Sequence, residues 1–187
     1  MDSLTRLQAG IQHARPIITA TTQDDYGQPT PCEEWTVREL INHMLGALTM
    51  FRDVAVEGVA DPALFARDLI GDDALASFNR VSAQVVAGWQ TDGRLDGTAK
   101  LPWGEFPASF ALQFPAMDML VHGWDLARAT GQQHEWEDEL ALDNLTFAQS
   151  TLASPEIRAG FYAAPIDVAD DAPSIDRLVA FLGRHPG

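Results

Sequence analysis

Residues 114–131 read FPAMDMLVHGWDLARATG, a helix-length run that is apolar on nearly every side except for one narrow polar stripe. At roughly 100° per residue, Asp118, His122 and Asp125 fall within about 60° of one another. Phe114 and Val121 lie on one side of that stripe, Met119 and Leu126 on the other, and Met117, Leu120 and Trp124 fill most of the remaining surface. A helix with this pattern belongs in an interior. Carboxylates and an imidazole carried inward without partners are strongly destabilising, so the stripe must meet something: its own members, a distant side chain, water or a metal ion.

The elements around this run are helical. In TPCEEWTVRELINHM, residues 30–44, Thr36 and Glu39 have the spacing of a capping box, and Trp35 and Leu40 sit where a hydrophobic staple places them. The helix expected from there buries Val37, Leu40, Ile41, Met44, Leu45, Leu48 and Phe51, with His43 on the edge of the stripe, where it can face inward. An earlier helix is expected over residues 3–22, with Pro16 bending or dividing it, followed by an extended connector, DDYGQPTPCEEW. Residues 58–72 read as a connector with room for one helical turn. Asp72 or Asp73 can then cap a third helix that buries Leu75, Phe78, Val81, Val85 and Trp89.

Residues 91–107, TDGRLDGTAKLPWGEFP, read as a loop holding a small hairpin at most. Gly131 is placed to end the central helix, a further helix is expected from Asp138 to Leu152, and Ser174 is a cap for a short closing helix that docks Ile175, Leu178, Val179 and Leu182. No repeat or linker interrupts residues 1–187, and the expectation is a single all-α domain.

The totals narrow the partners. Of 187 residues 46% are hydrophobic, enough for one sizeable core. Twelve basic against 27 acidic side chains give a net charge of -15, which repels nucleic acid and anionic membrane surfaces and excludes them as expected partners. The single cysteine, Cys32, rules out an intrachain disulfide and any zinc site built from several thiolates, and suits a reducing compartment. The N-terminus lacks the apolar core of a signal peptide and no run is long enough to span a bilayer, so the expectation is a soluble, cytoplasmic protein.

Asp118 and His122 stand at i and i+4, which presents both to one point as two ligands of one ion require. The pair alone is equally the spacing of a hydrogen bond or ion pair. His43 on a second helix raises the metal reading, because facing helices of a bundle build sites from inward-projecting side chains. Two histidines and one carboxylate leave a zinc-like ion an open position, the mark of a catalytic rather than a structural site.

The combination of TPCEEWTVRELINHM at 30–44 with DMLVHGWDLARATG at 118–131 resembles the actinobacterial metal-binding proteins related to the N-terminal domain of mycothiol-dependent maleylpyruvate isomerase, within the DinB/YfiT-like superfamily. The resemblance runs through the closing DRLVAFLGRHP. It implies an up-down-down-up four-helix bundle with a short loop or hairpin insertion and a C-terminal helical tail. It also implies a homodimer, and a divalent metal (Zn²⁺, Ni²⁺ or another) held by the second and fourth main helices. By position, His43 and His122 match the histidine ligands and Asp118 the carboxylate ligand, where the isomerase has glutamate. The isomerase carries a further C-terminal domain, so maleylpyruvate itself is not implied.

The function expected on this basis is a zinc-dependent enzyme that activates a small-molecule thiol, mycothiol by resemblance, for S-transfer or isomerisation of a substrate the sequence does not identify. The alternatives are a non-catalytic metal- or ligand-binding bundle and a metal-assisted hydrolase. Asp125 and Arg128 have the spacing of a helix ion pair, favoured here over Asp125 orienting a ligand histidine. Cys32 is expected as a buried, inert thiol. His13, His134 and His185 are expected in solvent, and Trp35, Trp89, Trp103 and Trp136 as core or rim aromatics, with Trp103 near the mouth of the site.

Overall fold

A computed structural model describes residues 1–32, 35–61, 63–158 and 161–186. Glu33 and Glu34 of the first connector and Pro62 of the second lie outside the described residues. The chain divides into two compact units, Asp2–Gln132 and Gln133–Gly187 together with Met1.

The first unit is a helix bundle made of α1 (Ser3–Ala20), α2 (Val37–Glu57), α3 (Ala74–Trp89) and α5 (Gln113–Ala129), with the short α4 (Ala108–Ala111) leading into α5. Helix α1 packs on α5 and α3, and α2 packs on α3 and α5, so the four close into a ring around one core. Leu7, Ile17, Leu40, Ile41, Met44, Leu48, Phe78, Val85, Met119 and Leu120 are all but inaccessible within it. Trp89 belongs to this core and donates its indole N–H to the carbonyl of Phe51 at 3.0 Å.

The local signals explain the boundaries. Thr36 caps α2: its hydroxyl accepts from the Glu39 N–H, and Glu39 Oε2 accepts from the Thr36 N–H at 2.8 Å. Asp73 rather than Asp72 caps α3, accepting from the Ala76 N–H at 3.0 Å. Gly131 follows α5 at φ +68°, as expected of its position. Pro16 does not divide α1, which continues from Ser3 to Ala20. Burial of Leu7, Ile11, Ala14, Ile17 and Ile18 along that helix outweighs the one hydrogen bond that proline removes. Where α1 meets α5, a Cβ on Gly10 would stand 2.8 Å from the Ala116 carbonyl oxygen, so the close approach of the two backbones requires glycine.

The loop before α4 holds the expected hairpin, β1 (Thr98–Leu101) antiparallel to β2 (Gly104–Pro107), in the register Thr98↔Pro107 to Leu101↔Gly104. Ala99 and Leu101 point inward.

In the second unit α6 (Asp138–Thr151) packs on α8 (Ser174–Phe181), burying Leu140, Ala141, Leu145, Ala148, Leu178 and Val179, and a single turn, α7 (Pro155–Arg158), lies between them in sequence. Pro173 occupies the cap position of α8, and Ser174, expected as the cap, is its first helical residue. The Arg158 guanidinium donates to the Phe181 carbonyl at 2.7 Å, tying the turn to the end of α8. The fold is all-α, with a core bundle, a hairpin insertion and additional C-terminal helices. Among the described residues no helix is long and apolar enough to cross a membrane.

Candidate metal centre

The ring of helices sets α2 against α5, and the polar stripe of α5 meets His43 there. His43 Nε2 lies 3.3 Å and His122 Nε2 3.2 Å from the same oxygen, Oδ1 of Asp118. The two imidazoles meet edge to face, with centroids 4.9 Å apart. One ligand atom from each of the three residues lies within 4.8 Å of the others. His43, Asp118 and His122, the residues read from the sequence, are thus brought together.

Asp118 Oδ2 is buried and has no hydrogen-bond partner among the described residues. A buried carboxylate oxygen left in that state is destabilising, and a cation between the three side chains would relieve it. Two imidazole nitrogens and a carboxylate oxygen are a donor set suited to zinc and neighbouring divalent ions. On both counts the residues fit a metal.

The electrostatics follow from the same contacts. Burial works against ionisation of Asp118, but His122 and His43 beside it outweigh that effect and hold its carboxyl far below the usual carboxylate range. Burial likewise opposes the His122 imidazolium. The Asp118 charge, hydrogen bonds to Asp118 and Asp125, and the Cys32 contact together raise its pKa well above the ordinary histidine value. Without a metal these contacts favour the imidazolium form of His122.

The opposite edge of the His122 ring faces Asp125. Its Nδ1 is 2.9 Å from Asp125 Oδ2, and Asp125 is completely buried. A ring nitrogen tied to a carboxylate fixes the proton on Nδ1 and leaves Nε2 as the lone pair for a cation. Asp125 thus orients the histidine, in place of the expected ion pair with Arg128. Arg128, expected to pair with Asp125, lays its guanidinium over the Trp124 ring, 5.6 Å from the centroid.

Cys32 is not fully buried as expected. It is half-buried, its Sγ–H donates to Asp125 Oδ2 at 3.2 Å, and its sulfur is 3.8 Å from His122 Nδ1. Cys32, His122 and Asp125 form a second set of ligand-type groups that shares His122 with the first.

Aromatic rings flank His43. Trp35, beyond its expected place as a staple, has its ring centroid 4.4 Å from His43 and 5.7 Å from His122. Phe65, from the 3₁₀ turn Leu64–Ala66, stacks on His43 at 5.7 Å. It reaches that position because Gly46 has no side chain: a Cβ there would stand 2.8 Å from the Phe65 ring. No periodicity marks Phe65 in the sequence, because it lies in a connector.

Trp103 is half-exposed at the hairpin tip and packs edge-on against Phe114, one helical turn before Asp118. His134 lies against Trp136 instead of standing alone in solvent, whereas His185 is exposed as expected.

Comparison with known proteins agrees with this architecture. The family model of the mycothiol maleylpyruvate isomerase N-terminal domain matches residues 7–127. Uncharacterized proteins of Mycobacterium tuberculosis, from the CDC 1551 and H37Rv strains, are each 32% identical over 187 residues, covering 98% of both chains. The crystal structure of the mycothiol-dependent maleylpyruvate isomerase superposes with a TM-score of 0.63 at 20% identity, over 84% of this chain and 72% of that one. A histidine-to-alanine mutant of that enzyme gives 0.60 at 21% identity, over 80% and 68%. The chain belongs to the family of the mycothiol maleylpyruvate isomerase N-terminal domain, among the DinB/YfiT-like proteins.

Proposed function

We propose that the chain is a zinc-dependent enzyme, with His43, Asp118 and His122 holding the ion and a small-molecule thiol as co-substrate for S-transfer or isomerisation. The observation that carries this reading is the convergence of two histidine Nε2 atoms on Asp118 Oδ1, at 3.3 and 3.2 Å, beside a buried Oδ2 that nothing else satisfies among the described residues. When bound, zinc supplies deprotonation of a coordinated thiol, which makes it a nucleophile at neutral pH.

The chain's own residues prepare for that chemistry. Asp125 holds the Nδ1 proton of His122 and aims Nε2 inward. Trp35 and Phe65 flank the His43 ring and hold its place. Asp118 would balance the charge of the ion, and three protein ligands would keep it open to a thiol or to water.

Mycothiol is the thiol this reading favours, on the strength of the family and of the solved structure whose description names it. We further take residues 1–187 to act as one domain, as a homodimer, in the cytoplasm. Nickel or another divalent ion would use the same donors.

Titration of thiols into cobalt-loaded protein tests the reading. A change in the visible cobalt bands with mycothiol, absent with an alcohol of similar shape, is the expected result. Bands that no thiol perturbs would leave a metal-binding bundle without this chemistry.

A further inference from the structure

We propose that Cys32 is a positioning residue of the metal centre, acting on His122 through Asp125; this rests on the metal reading above. Asp125 is fully buried, and one of its oxygens, Oδ2, receives two donors: Nδ1–H of His122 at 2.9 Å and the thiol of Cys32 at 3.2 Å. With Sγ and Nδ1 3.8 Å apart, the three groups close a triangle on the edge of the imidazole opposite Asp118. The thiol is thus a second donor on the very oxygen that holds the His122 ring, and it bears on the plane of that ring through Asp125 Oδ2.

The thiol is itself held in place. The Thr30 hydroxyl accepts from the Cys32 N–H at 3.1 Å and donates to the Trp35 carbonyl at 2.8 Å. The Trp35 N–H donates back to the Cys32 carbonyl at 2.7 Å. A bridge between Pro29 and Thr36 fastens this turn to the residue that caps α2. The same turn sets the Trp35 ring against His43. One connector thus braces both histidines, His43 through Trp35 and His122 through Cys32 and Asp125.

The pairing also separates this role from ligation. A cation drawn to the Cys32 side would have to displace the Nδ1 proton from its bond with a fully buried carboxylate, whereas Nε2 faces Asp118 Oδ1, the oxygen that His43 Nε2 also approaches. Cys32 therefore acts as a hydrogen-bond donor in this arrangement.

Zinc affinity by chelator competition, on the native protein and on Cys32→Ala, Cys32→Ser, Asp125→Ala and the Cys32→Ala/Asp125→Ala double variant, tests the inference, with circular dichroism to verify folding. Loss of the thiol is expected to weaken zinc binding about three- to tenfold, less than the 10–100-fold typical when the group directly orienting a ligand is removed. Cys32→Ser, which retains an O–H donor, should recover most of the loss. In the Asp125→Ala background, where no acceptor is left for the thiol, removing Cys32 should change affinity by less than about twofold, because its effect passes through Asp125.

Unchanged affinity in Cys32→Ala, failure of serine to rescue, or losses that simply add in the double variant would each overturn the proposal. So would a thiolate-to-cobalt charge-transfer band that vanishes with Cys32, which would make the cysteine a ligand. If the native protein binds no zinc, the metal reading fails first; native binding with a flat Cys32 series rejects this inference alone.

Discussion

His122 Nδ1 and Asp125 Oδ2 stand 2.9 Å apart on one turn of α5, and the carboxylate is entirely removed from solvent. This contact fixes the orientation of the histidine ring. Replacing Asp125 with asparagine, which preserves shape but not charge, should weaken zinc binding about 10–100-fold while leaving one site per chain. Chelator competition measures the affinity, and an affinity equal to that of the native protein would contradict the role given to Asp125.

Zinc binding should weaken as pH falls. His122 has a raised pKa in the metal-free protein, so its imidazolium must lose a proton before Nε2 can ligate. Below that raised value apparent affinity should drop by up to about tenfold per pH unit, the limit for one displaced proton. Isothermal titration in buffers of different ionisation enthalpy should report the released proton directly.

The metal-free protein should show a matching pH profile of stability. The folded-state pKa of His122 lies above its unfolded value. Its contribution is therefore complete below about pH 6.5 and is lost as pH rises through the raised folded value. Asp118 has the opposite shift, so its contribution is present above its ordinary value of 3.8 and is lost as pH falls below it. Denaturant midpoints of chelated protein should fall as pH rises above about 6.5, and bound zinc should flatten that fall.

Gly46→Ala should disturb the site more than the fold. The added Cβ would meet the Phe65 ring at 2.8 Å, and Phe65 is half-exposed and able to swing aside. Helix propensity gains up to about 1 kcal/mol from the change, so stability should move by no more than about that amount. The proton resonances of His43 should shift as the stacked ring leaves. Unmoved resonances would show that Phe65 does not brace the histidine.

Gly10→Ala should do the reverse, costing about 1–3 kcal/mol because its Cβ would press on the Ala116 backbone carbonyl at 2.8 Å, where α1 crosses α5. Thermal unfolding of the chelated protein measures this without involving the site.

Regular helices carried what the sequence could reveal. Asp118 and His122 declare themselves because i and i+4 share a face, and His43 because it borders the stripe of a helix with an unmistakable capping box at Thr36 and Glu39. Asp125 stands on the same stripe, but its i to i+3 spacing to Arg128 favours an ion pair. Its complete burial beside His122 emerges only once α5 is packed. Cys32 and Phe65 lie in connectors, where the Thr30 hydrogen bonds and the space beside Gly46, not periodicity, decide where a side chain goes. Pro16 shows the converse, a local signal for a break overruled by burial along the rest of α1.

The central claim is that His43, Asp118 and His122 hold a divalent metal. Elemental analysis of protein purified without chelators or a histidine tag tests it most directly, with the His43→Ala variant alongside. The account predicts close to one zinc or nickel per native chain and its loss in the variant; no metal in the native protein even after reconstitution, or the same content in both, would contradict it.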